Sequence, residues 1–240
     1  MFNKGLRFSY ADQKTQRHRV RRVILWAIAF FILYAILSSF AFSMRILEND
    51  TMQPGMAQGE RFVFSSYKIY NFIPGPDPEK LPFSRGSIVL IDRALDQKRS
   101  VFIVLADSII RFFTAQRIGI IKDKGDVYVK RVIGLPGDEV SMTNFIIRVK
   151  PKGSNFSFTE SELWDRPYEP FIPSVPALWD ESLPFSGNME AIILGENECF
   201  VLSDDRSNTN DSRTWGPVPL RHISGKLLFR YWPLNRIGKP

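Results

Sequence analysis

The sequence is poor in the residues that build disulfides, metal sites and histidine-based catalytic sites. Its 240 residues include one cysteine, Cys199, and two histidines, His18 and His222. A single cysteine excludes an internal disulfide framework, a zinc site of several thiolates and a redox cysteine pair. No HExxH motif and no Walker-type phosphate loop occurs. We therefore expect no metal and no cofactor, and an activator other than imidazole for any hydroxyl nucleophile.

Positive charge is concentrated at the N-terminus and nearly balanced elsewhere. The formal net charge is +7, and residues 1–22 hold seven lysines and arginines against one acid, Asp12, so this tail carries +6 of it. The other 218 residues are close to neutral, which argues against a nucleic-acid partner. With 44% hydrophobic and 24% charged residues, the chain suits one sizeable domain or two small ones.

A long uncharged run follows the basic tail. Residues 23–44 contain no charged side chain, and 22 residues can cross a bilayer core of about 30 Å as a helix. The positive-inside rule then predicts residues 1–22 in the cytoplasm and residues 45–240 outside it. A cleaved signal peptide and a buried core helix are the alternatives, but the run exceeds the roughly 7 to 15 apolar residues of a signal peptide. We predict a single-pass protein of the cytoplasmic membrane.

From residue 60 onward the pattern is that of strands and turns. Short apolar runs such as RFVFSSYKIY (61–70) and DVYVKRVIG (126–134) are separated by Pro and Gly. Many short strands with little helical periodicity predict a mainly β domain, a sandwich or a partly open barrel, over residues 45–240. Residues 151–195, rich in Pro, Ser and Trp, predict a loop-rich insertion or small subdomain within it.

One stretch, residues 101–121, has helical periodicity instead. Its polar residues Asp107, Arg111, Thr114 and Arg117 recur at spacings of four, three and three, and the rest of its surface is apolar. The segment fits a helix lying in the membrane interface and an ordinary amphipathic helix packed on the β core equally well. Three charges within it argue against a second membrane span.

Lysine is the activator that remains. A neutral lysine amine accepts a hydroxyl proton when burial or a nearby cation lowers its pKa from about 10.4. Lys130 lies within VYVKRVI (127–133), where strand alternation puts it on one face and Arg131 on the other. Strand composition alone favours a solvated lysine on an edge strand.

Four separated motifs favour the activating role of Lys130 over that of a solvated lysine. They are DTMQPGM (50–56), RGSIV (85–89), KRVIGLPGD (130–138) and DDRSNTNDSRTWG (204–216). In order and spacing, and together with the apolar run, they resemble type I signal peptidase, the membrane-anchored serine/lysine protease that removes signal peptides. The fourth motif closely follows the family pattern GDNRxNSxDSRxWG. The resemblance implies a signal-peptidase-type β-sheet catalytic domain behind one N-terminal transmembrane helix, and a serine-type endopeptidase that acts in protein secretion.

Carried over by position, the resemblance assigns catalytic roles. It makes Lys130 the general base and Thr51 the nucleophile, where the family has serine. Asn49, also in place of a serine, would donate the oxyanion hydrogen bond, since an amide is a suitable donor. Thr209, again in place of a serine, would hold the lysine amine.

The resemblance also names supporting and substrate-binding residues. Two ion pairs are expected to hold the strand of Lys130 against the loop of Thr209. These pairs are Arg131 with Asp204, and Asp211 with Arg213. Met52 and Ile88 are the expected substrate contacts.

Two functional interpretations follow from the departures. Thr51 keeps a hydroxyl but its branched Cβ restricts χ1, and Asp50 brings a negative charge near the developing oxyanion. Threonine at both hydroxyls that face Lys130 favours an adjusted active site, hence a membrane-bound endopeptidase that removes N-terminal signal peptides from exported preproteins. The alternative is a catalytically silent paralogue that binds preproteins or a membrane partner. The expected partners are preproteins and membrane lipid, with the secretion translocon as a further candidate. An unrelated single-pass β protein would leave the motifs unexplained.

Overall fold

The structure of the protein is a computed structural model. It describes residues 10–40, 42–66, 81–93, 127–164, 168–173 and 187–240, together with positions 100, 102–103, 106–107, 109–110, 114 and 118–120. Two antiparallel β-sheets make up most of these residues. The prediction of a mainly β fold is therefore confirmed.

The N-terminal helix differs from the predicted membrane segment. Helix α1 spans Tyr10–Phe40, and strand β1 follows at Phe42–Ile46, so the last residues of the predicted span belong to a strand. Apolar side chains on α1 are exposed, as at Val23 (67%), Trp26 (72%) and Phe30 (70%). Among the described residues, no helix combines the length and apolar character required to cross a membrane.

The larger sheet has seven strands in the order β1-β2-β11-β3-β4-β9-β10. After β1, its strands are β2 (Arg61–Ser66), β3 (Ile88–Asp92), β4 (Val127–Gly134), β9 (Glu198–Leu202), β10 (Val218–Pro219) and β11 (Ile223–Trp232). Strand β4 lies between β3 and β9, with Val89 opposite Lys130 and Leu202 opposite Arg131. Lys130 is therefore on a central strand and not on the edge that strand composition favoured.

The smaller sheet has four strands in the order β7-β6-β5-β8. They are β5 (Glu139–Thr143), β6 (Ile146–Lys150), β7 (Phe158–Thr159) and β8 (Met189–Ile193). A one-turn helix, Glu160–Leu163, follows β7, and another, Ser212–Trp215, follows β9. Short 3₁₀ turns at Leu220–His222 and Leu234–Arg236 flank β11. Both β7 and β8 lie in residues 151–195, so this predicted insertion contributes to a sheet.

Buried apolar side chains pack on both faces of the larger sheet. One cluster, which includes Phe62, Phe64, Ile88 and Met52, packs beneath the turn that follows β1. Another includes Val132 and Val201 from the neighbouring strands β4 and β9. Because strand residues alternate between faces, β4 contributes side chains to both sides of the core.

The predicted helix over residues 101–121 is described only at separate positions. Phe102, Ile103, Asp107 and Ile109 are among its helical residues, while Arg111 and Arg117 lie outside the described residues. Phe102 is 84% exposed, whereas Asp107, from the predicted polar stripe, is 7% exposed. At these positions the apolar side chains are on the outside and the acid is buried.

Candidate active site

Lys130 lies at the centre of the candidate active site. Its side chain is 1% exposed, on the face of β4 that Tyr128 shares, with its amine 5.8 Å from the centre of the Trp215 ring. Burial lowers the pKa of Lys130 to about 8, although nearby carboxylates, Asp211 above all, act to raise it. With this pKa, about a tenth of the amines are neutral at pH 7 and about half at pH 8, and the neutral form is the one that a general base requires.

The hydrogen-bond partner of Lys130 differs from the predicted one. Its Nζ donates to Ser203 Oγ over 2.8 Å. The half-buried Thr209 lies further along the loop, where its backbone carbonyl accepts from Asp211 N and Thr214 Oγ1. The prediction that Thr209 holds the lysine amine thus differs from the structure, because the loop turns between Ser203 and Thr209. Ser203 occupies the position of the first glycine in the pattern GDNRxNSxDSRxWG, and this departure was the signal that would have found it.

Thr51 lies in the turn after β1, with its side chain 6% exposed. Its Oγ1 donates to Asn49 Oδ1 over 2.8 Å, and its backbone N–H donates a longer bond of 3.4 Å to the same oxygen. The predicted oxyanion residue therefore presents its carbonyl oxygen, not its amide N–H, to Thr51. These two residues have no hydrogen bond to Lys130 in the structure.

The loop after β9 contacts both the Thr51 turn and Lys130. Ser203 begins this loop and accepts from Lys130, and two residues later the backbone N–H of Asp205 donates to the carbonyl of Thr51 over 3.1 Å. The turn of the candidate nucleophile and the strand of the candidate base are therefore anchored to neighbouring residues of one loop.

Both predicted ion pairs are present. Arg131 donates two hydrogen bonds to Asp204, Nε to Oδ1 over 2.7 Å and Nη2 to Oδ2 over 2.6 Å. Burial acts to lower the pKa of Arg131, but its bond to Asp204 outweighs this and leaves the pKa raised. Asp211 accepts from Arg213 Nε and Nη2 and from the backbone N–H of Ser203. Burial acts to raise the pKa of Asp211, but these bonds leave it lowered, so the carboxylate stays charged.

A cleft of about 630 Å³ opens near this site, and neither Thr51 nor Lys130 is among the residues that line it. Ile88, Arg131 and Asp204 line it, together with Pro54 from the Thr51 turn and Trp164. Met52 does not line it, since its side chain is 0% exposed and packs in the core. The expected substrate contact at Ile88 agrees with this geometry, whereas that at Met52 does not.

Two aromatic residues without a predicted role, Trp164 and Tyr168, form one wall of the cleft. The Trp164 ring stacks on Tyr168 with 4.8 Å between centroids, and Arg131 lies 3.9 Å from the centre of the Tyr168 ring. Trp164 also covers Gly86, where an added Cβ would come within 3.2 Å of the indole. Part of the predicted insertion therefore packs on the strand of Lys130.

Comparisons with known proteins identify the family. The family model described as "Signal peptidase, peptidase S26" matches residues 20–232. The chain belongs to the S26 signal peptidase family. This family membership supports a protease, and it agrees with the mainly β fold.

Named relatives agree with this family. The chain is 25% identical over 208 residues to a protein of Synechocystis named probable signal peptidase I-1, which covers 87% of this chain and 80% of that protein. It is 25% identical over 213 residues to signal peptidase IB of Staphylococcus aureus, covering 89% of each. A crystal structure of a signal peptidase I from Enterococcus faecalis V583 has a TM-score of 0.34 and 19% identity, covering 62% of this chain and 98% of that one.

Proposed function

We propose that this protein is a signal peptidase I that removes N-terminal signal peptides from exported preproteins, with Thr51 as nucleophile and Lys130 as general base. The observation that carries the proposal is the burial of Lys130, whose pKa is lowered to about 8, beside the loop that also contacts Thr51. A buried, neutral lysine can activate a hydroxyl without histidine.

The proposed reaction proceeds through an ester on Thr51. Thr51 Oγ1 attacks the carbonyl carbon of the scissile peptide bond, and its proton passes to Lys130 Nζ. The new amino terminus of the mature protein leaves with that proton, while the signal peptide stays bound as the ester. Water, deprotonated by Lys130, then hydrolyses the ester, releases the signal peptide as a carboxylic acid and restores the Thr51 hydroxyl.

One rearrangement must precede attack. Thr51 Oγ1 donates to Asn49 Oδ1, so the hydroxyl has to rotate towards Lys130 before it can transfer its proton. Rotation of the Asn49 amide would release the Thr51 N–H and turn Nδ2 towards the substrate, which supplies two donors for the oxyanion. Asn49 is exposed, so its side chain has room to turn. Catalytic hydrogen bonds often form only when substrate is bound.

We also propose that α1 attaches the protein to the cytoplasmic membrane, with the basic residues 1–22 in the cytoplasm. The support lies in the exposed apolar side chains of α1 and in the exposed residues Phe42, Met44 and Ile46 of the adjoining strand β1. Attachment near the cleavage site raises the effective concentration of substrates whose apolar segments are in the bilayer. Membrane lipid and preproteins are then the partners, and the translocon is a further candidate.

Protease protection of vesicles containing the full chain tests this topology. A tag before residue 10 and the catalytic domain should lie on opposite sides of the membrane, so in vesicles of one orientation only one of the two is protected from added protease. Alkaline extraction should leave the protein in the membrane pellet. A variant with glutamate at Val23, Trp26 and Phe30 is the matched comparison and should be released. Release of the unsubstituted protein would contradict the proposed attachment.

Cleavage of a purified preprotein by the full chain in liposomes tests the proposed chemistry. Wild type, Thr51→Ala and Thr51→Ser are compared, with folding checked by circular dichroism. We expect cleavage by wild type, none by Thr51→Ala, and faster cleavage by Thr51→Ser because serine lacks the methyl group that restricts χ1. Unchanged cleavage by Thr51→Ala would refute the nucleophile. Cleavage by Thr51→Ser alone would instead identify a silent paralogue with intact supporting residues.

A further inference from the structure

We propose that Ser203 is the residue that positions the Lys130 amine for proton transfer, a role that rests on the proposed function. Nothing in the resemblance assigns Ser203 a role. Its side chain is 0% exposed, and its hydroxyl accepts the only hydrogen bond that Lys130 Nζ donates within the described part of the chain.

The pairing of β4 with β9 explains why Ser203 meets Lys130. Arg131 pairs with Leu202 in the antiparallel ladder, so the next step of the register sets Lys130 opposite Ser203, just beyond the end of β9. Residues opposite each other in antiparallel strands share a face, with Cβ atoms about 5 Å apart. The contact between Lys130 and Ser203 therefore follows from the register of β4 and β9, continued by one residue.

The hydrogen bond also orients the amine. A neutral lysine amine has two N–H bonds and one lone pair, and only the lone pair can accept a proton from Thr51. With one N–H directed at Ser203 Oγ, rotation about the Cε–Nζ bond is restricted. Without this acceptor, rotation about the Cε–Nζ bond would be less restricted and the lone pair would point towards Thr51 less often.

Ser203 itself is held in place by charged residues. Its backbone N–H donates to Asp211 Oδ2 over 3.0 Å, and Arg213 holds the same carboxylate over 2.8 Å. The charged groups that act on Lys130 are Asp211, Arg213, Asp204 and Asp205. Asp211 and Arg213 lie in the same network as Ser203, so the groups that set the charge of Lys130 and the group that orients it form one unit.

The first test is the pH profile of preprotein cleavage by full-length Ser203→Ala. We expect kcat to fall about 10- to 100-fold, as small misplacements of a reacting group cost this much, with KM within about twofold. The rising limb of the profile should move to lower pH, because the ammonium form loses a hydrogen-bond acceptor. If the variant accumulates poorly, Ser203→Cys keeps the volume with a weaker acceptor.

Two variants from the same loop separate this role from a structural one. Ser207→Ala removes an exposed hydroxyl whose hydrogen bond within the described residues is to Asp205, and it should leave kcat and the pH profile unchanged. Thr209→Val removes the hydroxyl that the resemblance implied, and it should move the profile less than Ser203→Ala does. A lower kcat with an unmoved pH limb in Ser203→Ala, or a larger shift in Thr209→Val, would overturn the inference.

A second readout does not depend on cleavage. Full-length protein with ¹³C-labelled lysine in detergent is titrated by NMR, and Lys130→Met identifies the Lys130 resonance. We expect Ser203→Ala to lower the proton affinity of Lys130 by about threefold or more, since a hydrogen bond to a charged group is lost. An unchanged midpoint would overturn the inference. Failure of the proposed function would appear separately, as absence of cleavage by both wild type and Thr51→Ser.

Discussion

The candidate active site consists of a base half around Lys130 and a nucleophile half around Thr51. The two halves differ in how closely their side chains already match the arrangement that the proposed reaction requires. Lys130 is 1% exposed on a central strand, and its amine is bonded to Ser203. Thr51 lies in a turn beside the exposed residues Asn49 and Asp50, and its hydroxyl is directed to Asn49. The proposed base is thus held in place before substrate binds, whereas the proposed nucleophile needs a rotation. Departures from the family pattern occur in both halves, at Asn49, Asp50 and Thr51 in one and at Ser203 in the other.

Beyond loss of the Thr51 hydroxyl itself, the largest expected effect comes from the base half. Lys130→Met should lower cleavage by about 10²- to 10⁴-fold, the contribution of a general base, while the fold is kept. In wild type, cleavage should rise with pH through about 8 as the amine loses its proton. Steady-state kinetics between pH 6 and 10 measure both. Retained activity in Lys130→Met would refute its role.

The lowered pKa of Lys130 also predicts how the free energy of unfolding depends on pH. Because burial lowers the folded-state pKa of Lys130 from 10.5 to about 8, the unfolded chain binds the proton more strongly between these values. The free energy of unfolding from this group therefore rises with pH through that window. Urea titrations at pH 7 and pH 10 should show this rise in wild type and a smaller one in Lys130→Met. Equal changes in the two proteins would mean that Lys130 is not buried as described.

The next effect concerns the nucleophile half. Asn49→Asp keeps an oxygen for Thr51 but loses the amide donor and adds charge, so kcat should fall about 10²- to 10³-fold, as for loss of an oxyanion donor. Asn49→Ser restores a hydroxyl donor and should retain more activity. The melting temperature should change little in either variant because Asn49 is exposed. Full activity in Asn49→Asp would exclude Asn49 from the oxyanion site.

A third comparison tests how firmly the base half is held. Arg131→Met leaves Asp204 buried without its partner, and removal of one member of a buried pair costs about 3 to 5 kcal/mol. The exposed pair Lys150 and Glu139 is the matched control, and Lys150→Met should cost at most about 1 kcal/mol. Denaturant unfolding measures both losses. Similar values would show that the Arg131 pair contributes no more than a surface pair.

The smallest expected effect concerns the support of the Thr51 turn. Glu60 accepts from Arg230 Nη1 over 2.9 Å and from Ala57 N over 3.1 Å, and Arg230 also donates to the carbonyl of Gly55. Glu60→Gln removes the charge of this buried pair but keeps an acceptor oxygen for Arg230, so we expect a loss of about 1 to 3 kcal/mol, below that of Arg131→Met, and a fall in kcat below tenfold. If Glu60→Gln lowered kcat more than Lys130→Met does, the expectation that the base half contributes more to catalysis than the support of the Thr51 turn would be wrong.

Much of the base half was predictable from sequence because its signals are local. Alternation within residues 127–133 separated Lys130 from Arg131, and the motifs indicated the pairs of Arg131 with Asp204 and of Asp211 with Arg213. These pairs depend on charge complementarity and on motif spacing, both visible in one dimension. The mainly β fold followed from short apolar runs and turn residues.

Contacts that depend on side-chain direction were less predictable. Met52 was expected to contact substrate, but it packs in the core with 0% exposure because the turn directs it inward. Asn49 was expected to present its amide N–H, but the backbone N–H and hydroxyl of Thr51 both require an acceptor there. The apolar run also ends differently, since residues 42–46 pair with β2 as a strand.

The sequence by itself determined the chemical inventory: one lysine suited to act as a base, two ion pairs around it, and a hydroxyl shortly after an apolar helix. Only the tertiary structure decided that Ser203 meets the lysine. Antiparallel register joins residues 73 positions apart in sequence, and the strand pairing that sets this register is a property of the whole sheet. A motif can therefore specify which residue types are present, while the sheet specifies which two of them touch.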